Sequence, residues 1–235
     1  MIQKRLEFLK ERVNQAAQKT GRSLNDIEIV CVTKQARLED VSMLIKAGCF
    51  QIAENRLQKA VEKKDFLKHT LSEDDFLRLR WHLVGHLQTN KVSKAVKMFQ
   101  LIQSVDSLRL ASLISEQSQK LKKKIDILVQ INISGEDSKF GVDFEQAKEI
   151  IPQTMKLPGL NLKGLMGIGP FIDDLDQIRL CFRRLREFYD QENKMLLLNF
   201  KAEMSILSMG MSDDFEIAIE EGSTMIRVGR TIFGG

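Results

Sequence analysis

Cysteine and proline are both scarce in this chain, with three of each among 235 residues, and no C-x-x-C pair is present. Cys31, Cys49 and Cys181 are odd in number and widely spaced, which argues against a disulfide or zinc framework and for a reducing compartment. With so few prolines and no low-complexity stretch to mark a linker, a single domain over residues 1–235 is expected. No apolar run approaches the roughly twenty residues that a membrane span needs. The N-terminus, Met1-Ile2-Gln3-Lys4-Arg5-Leu6, opens a charged amphipathic helix and lacks the apolar core of a signal peptide. A cytoplasmic location without a membrane partner follows as the expectation. Aromatic residues make up only 6% of the chain, and none stands beside its one dense basic cluster, Lys120–Lys124. Those cations suit the carbonyl end of a helix, and no nucleic-acid partner is expected. No strand is followed by the G-x-G-x-x-G turn of a dinucleotide fold.

What is present is an alternation. A helical pattern over residues 2–19 stops near Gly21, and the β-branched run from Ile27 to Thr33 then reads as a buried strand. A second helical stretch, Leu38 to Ala47, is closed by Gly48. Short apolar runs recur at Gln51–Ala53, Trp81–Val84, Leu101–Gln103, Ile125–Ile133, Leu162–Ile168, Ser205–Leu207 and Met225–Val228, with helical stretches between them. The clearest of these helices runs from Asp174 to Glu192, with Leu175, Ile178, Phe182, Leu185 and Tyr189 on one stripe. Eight β-α repeats predict an α/β fold, a (β/α)8 TIM barrel with an extra N-terminal helix.

In such a barrel the functional site is built at the C-terminal ends of the strands. Lys34 leaves an apolar strand there. It is either a solvated first loop residue or a Schiff-base lysine, whose ammonium loses its proton more readily in a partly desolvated mouth. Ser208-Met209-Gly210-Met211-Ser212 and Gly229-Arg230 follow strands seven and eight, where barrels frequently hold a phosphate on backbone N–H groups and hydroxyls. An amine on one side and a phosphate cradle on the other suit pyridoxal 5'-phosphate. Arg227 alternates with Ile226 and Val228 and so points into the barrel. It either pairs with an acid such as Glu216 or Glu220 or faces the pyridine nitrogen of the cofactor. There a guanidinium, which keeps its own charge, would leave the nitrogen unprotonated and weaken the ring as an electron sink. His82 shares a face with Val84 and reads equally as a satisfied structural histidine or a pocket wall; a zinc site fails for want of a third ligand. Asn55 is a turn-former or a partner for the ring hydroxyl of the cofactor.

Several blocks together resemble one family. Val32-Thr33-Lys34, Ala53-Glu54-Asn55-Arg56-Leu57-Gln58, the run from Trp81 to Lys91, Gly164-Leu165-Met166 and the run from Leu207 to Phe215 are similar, in order and over almost the whole chain, to the YggS/PROSC family of pyridoxal phosphate homeostasis proteins. These share the fold of the alanine racemase N-terminal domain. The resemblance implies that Lys34 carries pyridoxal phosphate as an internal aldimine. It also implies that Ser208 or Ser212, with Gly229 and its neighbour, bind the phosphate, and that Arg227 lies by the pyridine nitrogen. Two positions depart from the family. Ala53 stands where glycine is usual, and Arg230 where Thr or Ser is common, so the Arg230 guanidinium or backbone N–H is expected to replace a hydroxyl contact.

The resemblance implies a protein that holds, buffers or delivers pyridoxal phosphate, with acceptor apoenzymes as partners. An amino-acid racemase of this fold uses a lysine and a tyrosine from a second, β-rich domain. Here the chain ends at Gly235, just past the eighth strand, and the one tyrosine, Tyr189, lies on a helix expected outside the barrel. One of two bases is therefore expected to be missing, leaving at most weak single-base exchange. Without the domain that builds a racemase-type dimer, a monomer is expected. A cofactor-responsive regulatory module is the third reading, although no docking motif for it is visible.

Overall fold

A computed structural model of the chain describes residues 1–136 and 140–234. Eight parallel strands close into a barrel in sequence order. The first half alternates α1 (Ile2–Gln18), β1 (Glu28–Val32), α2 (Leu38–Lys46), β2 (Gln51–Glu54), the helix pair α3 (Leu57–Thr70) and α4 (Glu73–Arg78), β3 (Arg80–Leu83), α5 (Val92–Met98) and β4 (Leu101–Val105). The second half continues with α6 (Leu108–Lys120), β5 (Ile125–Ile131), α7 (Phe144–Met155), β6 (Leu160–Gly167), α8 (Leu175–Phe200), β7 (Ile206–Ser208), α9 (Phe215–Glu220), β8 (Met225–Val228) and α10 (Arg230–Phe233).

Each expected strand is found. The differences lie at the ends, where β4 reaches Val105 and α8 runs to Phe200, beyond the expected Glu192. The longer helix has a physical reason. Its buried stripe continues past Tyr189 through Glu192 and Leu196 at helical spacing, and the chain turns only at Lys201, in the left-handed conformation.

Alternation along the strands divides the core in two. Val30, Ala53, Leu101, Leu128, Met166 and Met225 fill the lumen, with Val32, Val84, Ile168 and Ile206 packed on them. Residues of the opposite parity, among them Cys31, Ile52, Trp81, Ile127, Leu165 and Ile226, face the helices in the larger cluster. The lumen series of β1, Val30 and Val32, projects at the next step onto Lys34, so the barrel's geometry aims that residue at its C-terminal rim. Helix α1 buries Leu6, Leu9, Val13 and Ala17 and packs against α2, α9 and α10. Arg12 fixes it to α9, with two hydrogen bonds to Glu216 at 2.9 and 2.8 Å and its guanidinium 4.8 Å from the Phe215 ring centroid.

Candidate functional site

Strand β1 pairs with β2 on one side and β8 on the other, so the residues leaving these three strands meet at one stretch of rim. Lys34 and Asn55 are both exposed there. Beneath them lies a buried charge pair. Lys63, from α3, binds both the Glu54 carboxylate and the backbone carbonyl of Thr33, and the Thr33 hydroxyl donates to the same Glu54 oxygen at 2.6 Å. The two charged side chains are 5% and 0% exposed. Such a pair contributes little net stability but is costly to break, because the remaining charge would be left without compensation. It ties together the residues immediately preceding Lys34 and Asn55. Asn55 is held from the other side by Gly85, where a Cβ would lie 2.2 Å from the Asn55 carbonyl oxygen, so only glycine admits this approach.

Inside the lumen runs an ordered chain of side chains. Arg227 donates through Nη1 to Ser208 Oγ at 2.6 Å and through Nη2 to the Gly167 carbonyl at 2.8 Å. Ser208 Oγ donates to Gln103 Oε1 at 2.8 Å, Gln103 Nε2 lies 3.0 Å from His82 Nδ1, and His82 Nε2 lies 2.9 Å from Gln51 Oε1. Burial pushes the Arg227 guanidinium down to about 10, against the pull of Asp214, so it stays charged at neutral pH. Burial also holds the Asp214 carboxyl above its usual value, opposed by the Met211 N–H and by Arg227. Glu216 and Glu220 are engaged elsewhere, with Arg12 and with Lys19 and Arg179, so neither is the partner of Arg227. His82 is 1% exposed, and burial pushes its imidazole down to about 3. Both of its ring nitrogens have hydrogen-bond partners in the lumen.

The loops after β7 and β8 meet at Ser212, whose Oγ accepts from the Gly229 and Thr231 N–H groups at 3.3 and 3.4 Å. Gly229 has no room for a side chain, since a Cβ would sit 2.9 Å from the Val32 carbonyl oxygen. Ser208, by contrast, has no exposure and its hydroxyl is engaged by Arg227 and Gln103. Met209 points outward into the layer beneath the helices, and its N–H bonds the Met225 carbonyl. The cause is alternation: Ser208 falls on the lumen parity and Met209 on the helix parity, which leaves Ser212 as the hydroxyl at the loop. Arg230 is exposed and pairs with Asp213.

Lys34, Asn55, Ser212, Gly229 and Arg230 therefore stand on adjoining rim segments, with Arg227 below and His82 within the lumen. Gln103, Gln51, Glu54, Lys63 and Asp214 complete the arrangement and were not singled out by the sequence reading. For Gln103 a signal existed, an amide two residues on from the lumen residue Leu101 in the middle of a short strand. Tyr189 is outside the barrel, where its hydroxyl donates to the Met204 carbonyl at 2.6 Å.

The family profile described as "Alanine racemase, N-terminal domain" matches residues 5–235. A pyridoxal phosphate homeostasis protein of Aquifex aeolicus is 36% identical over 230 residues, covering 98% of this chain and 96% of the relative. One of Escherichia coli (strain K12) is 33% identical over 230 residues, covering 97% and 94%. Among solved structures, PipY of Synechococcus elongatus with pyridoxal phosphate bound superposes with a TM-score of 0.83 at 28% identity, covering 100% of both chains. An alanine racemase of Clostridium difficile, at 19% identity and a TM-score of 0.71, covers 95% of this chain and 59% of its own, and shares the fold. The chain belongs to the alanine racemase N-terminal domain family and, within it, to the pyridoxal phosphate homeostasis proteins.

Proposed function

We propose that this chain binds pyridoxal 5'-phosphate in a single barrel domain over residues 1–235 and serves intracellular vitamin B6 homeostasis, holding the cofactor and giving it up to apoenzymes. Support comes from family membership and from the shared rim, where an exposed lysine on the lumen-facing series of β1 adjoins a loop pair that only glycine can close. When bound, the cofactor supplies an aldehyde that condenses with an amine and a pyridine ring that withdraws electrons. The residues fit such a group. Lys34 is its attachment point, the Ser212 hydroxyl and Gly229 backbone its phosphate contacts, and Asn55 the partner of its ring hydroxyl. Arg230 adds charge beside the phosphate, in place of a hydroxyl. Arg227, held at Ser208 and Gly167, presents a fixed positive charge toward the ring nitrogen and so disfavours a proton there. His82 and Ser208 support Arg227 from below through the hydrogen-bond chain of the lumen.

A carrier is favoured over a racemase because Tyr189 is committed to the Met204 carbonyl outside the barrel and is the chain's one tyrosine. Purified protein is expected to show a visible band that borohydride fixes as a pyridoxyl group on Lys34, and Lys34→Ala is expected to lose it. An unchanged spectrum in that variant would overturn the attachment. Incubation with single amino acids in deuterated water separates carrier from enzyme, since rapid α-proton exchange would favour racemisation. A monomer in the cytoplasm completes the proposal, and size-exclusion chromatography with light scattering checks the first part.

A further inference from the structure

On the side of β1 facing the helices, away from Lys34, two thiols stand in contact. Cys31 Sγ and Cys49 Sγ are 3.3 Å apart, although 18 residues separate them in the chain. Cys31 lies on β1 and points into the layer beneath the helices, without exposure. Cys49 lies between α2 and β2, directly after Gly48, whose φ of +90° makes the turn that brings the two together. A disulfide needs a sulfur separation near 2.05 Å, so the pair is little more than an ångström from bonding distance. The neighbouring strands β1 and β2 are already paired at Cys31 and Ile52, and closure therefore asks for side-chain movement rather than a new fold.

One of the two thiols can be reached. A surface pocket of about 270 Å³ is lined by Cys49 together with Leu6, Lys10, Ile27 and Phe50. Cys31 is not part of its wall, and Cys49 is 7% exposed where Cys31 is 0%. The donated Cys31 thiol lowers the Cys49 pKa, burial opposes it, and the Gln51 backbone and Lys10 add smaller downward pulls; Cys31 itself is pushed up. A thiol in the wall of a pocket that Lys10 also lines, with a second thiol in contact behind it, has the parts of an attacking and a resolving cysteine.

We propose that Cys49 and Cys31 form a dithiol that a hydroperoxide oxidises to an intramolecular disulfide. In the first step the Cys49 thiolate attacks one peroxide oxygen and breaks the O–O bond. Cys49 becomes a sulfenic acid, and the leaving oxygen takes a proton and departs as water or an alcohol. In the second step Cys31 sulfur attacks the Cys49 sulfur and expels hydroxide, which takes the Cys31 proton and leaves as water. Two thiols are oxidised by one two-electron peroxide, and a thiol reductant reverses the change. The crosslink ties β1 to the segment entering β2, the two strands that lead to Lys34 and Asn55. It does not depend on cofactor binding.

The test uses the full chain and hydrogen peroxide. Protein is treated with one equivalent, its free thiols are alkylated without reduction, and peptides are mapped by mass spectrometry. The expected result is a linked Cys31–Cys49 peptide lighter by two hydrogens, lost on reduction with dithiothreitol, with Cys181 still alkylated. In Cys31→Ala, dimedone is expected to label Cys49 as the sulfenic acid. In Cys49→Ala, Cys31 should stay unlabelled and peroxide consumption should fall several-fold. Full alkylation of both cysteines after peroxide would overturn the proposal. So would a disulfide between two chains, or oxidation confined to Cys181. The wild-type mapping decides the matter even if a variant fails to fold.

Discussion

Gln103 sets the tautomer of His82. Arg227 has no acceptor, so Ser208 must receive its hydrogen bond and pass its own hydroxyl hydrogen to Gln103 Oε1. The amide nitrogen of Gln103 then faces His82 Nδ1, at 3.0 Å, and the imidazole hydrogen is left on Nε2 for Gln51 Oε1, at 2.9 Å. The lumen thus holds a hydrogen-bond chain of one sense, from a charged residue near the rim toward the start of β2.

Gln103→Leu removes the acceptor of Ser208 and the donor of His82 together. Two orphaned buried groups cost on the order of 2–4 kcal/mol. The urea midpoint is expected to fall accordingly, and pyridoxal phosphate affinity with it as Arg227 loses its support. Gln103→Glu is the sharper variant, because its oxygens accept only and so require a proton on His82 Nδ1. Its stability should improve on acidification relative to wild type. A Gln103→Leu variant with wild-type stability and cofactor affinity would remove the chain from the account.

His82 also makes stability depend on pH. Its folded value, about 3, lies below the ordinary 6.5, so between these values the unfolded chain binds the extra proton. Stability from this group is complete above about 6.5 and is lost as pH falls toward 3. Between pH 7 and 5 the loss is on the order of 1–2 kcal/mol. Urea titrations of wild type and His82→Gln at the two pH values measure it, and the variant should lack this part of the slope.

Lys63→Met strands the buried Glu54 carboxylate and is expected to cost about 3–5 kcal/mol. Adding Glu54→Leu should recover much of that loss, since an apolar pair carries no uncompensated charge. A double-mutant cycle by thermal unfolding reads the coupling. Simple additivity of the two losses would show that the pair is not the unit proposed.

Gly85→Ala places a Cβ 2.2 Å from the Asn55 carbonyl oxygen. Backbone must move to relieve it, at about 1–3 kcal/mol. Because the displaced residue is Asn55, cofactor affinity should fall more than in Gly21→Ala, where a Cβ meets nothing within 4 Å. Fluorescence titration with pyridoxal phosphate compares the two, and equal affinities would separate Asn55 from the site.

The barrel was legible because its signal is local and repeated. Each strand is a short β-branched or apolar run bounded by a helical pattern, and parity along β1 and β8 alone aims Lys34 and Arg227 at the lumen side. Ser208 shows the limit of that reading. A serine after an apolar run looks like a loop donor, and only the length of β7, which includes it, turns its hydroxyl inward. Glu54 and Lys63 were legible as residues but not as a pair, because α3 has to fold back on β2 before they meet.

The sequence by itself determined the fold class, the order of the strands, the family and the rim residues Lys34, Asn55, Ser212 and Gly229, since periodicity and motif spacing are properties of the chain. Closure of the barrel decided the rest. Gln103 and Ser208 stand 105 residues apart, and Cys31 and Cys49 touch across a turn. Arg227 takes its partners from β7 and β6, and only when β8 pairs with β1 does closure surround it with the low-dielectric interior that lowers its pKa.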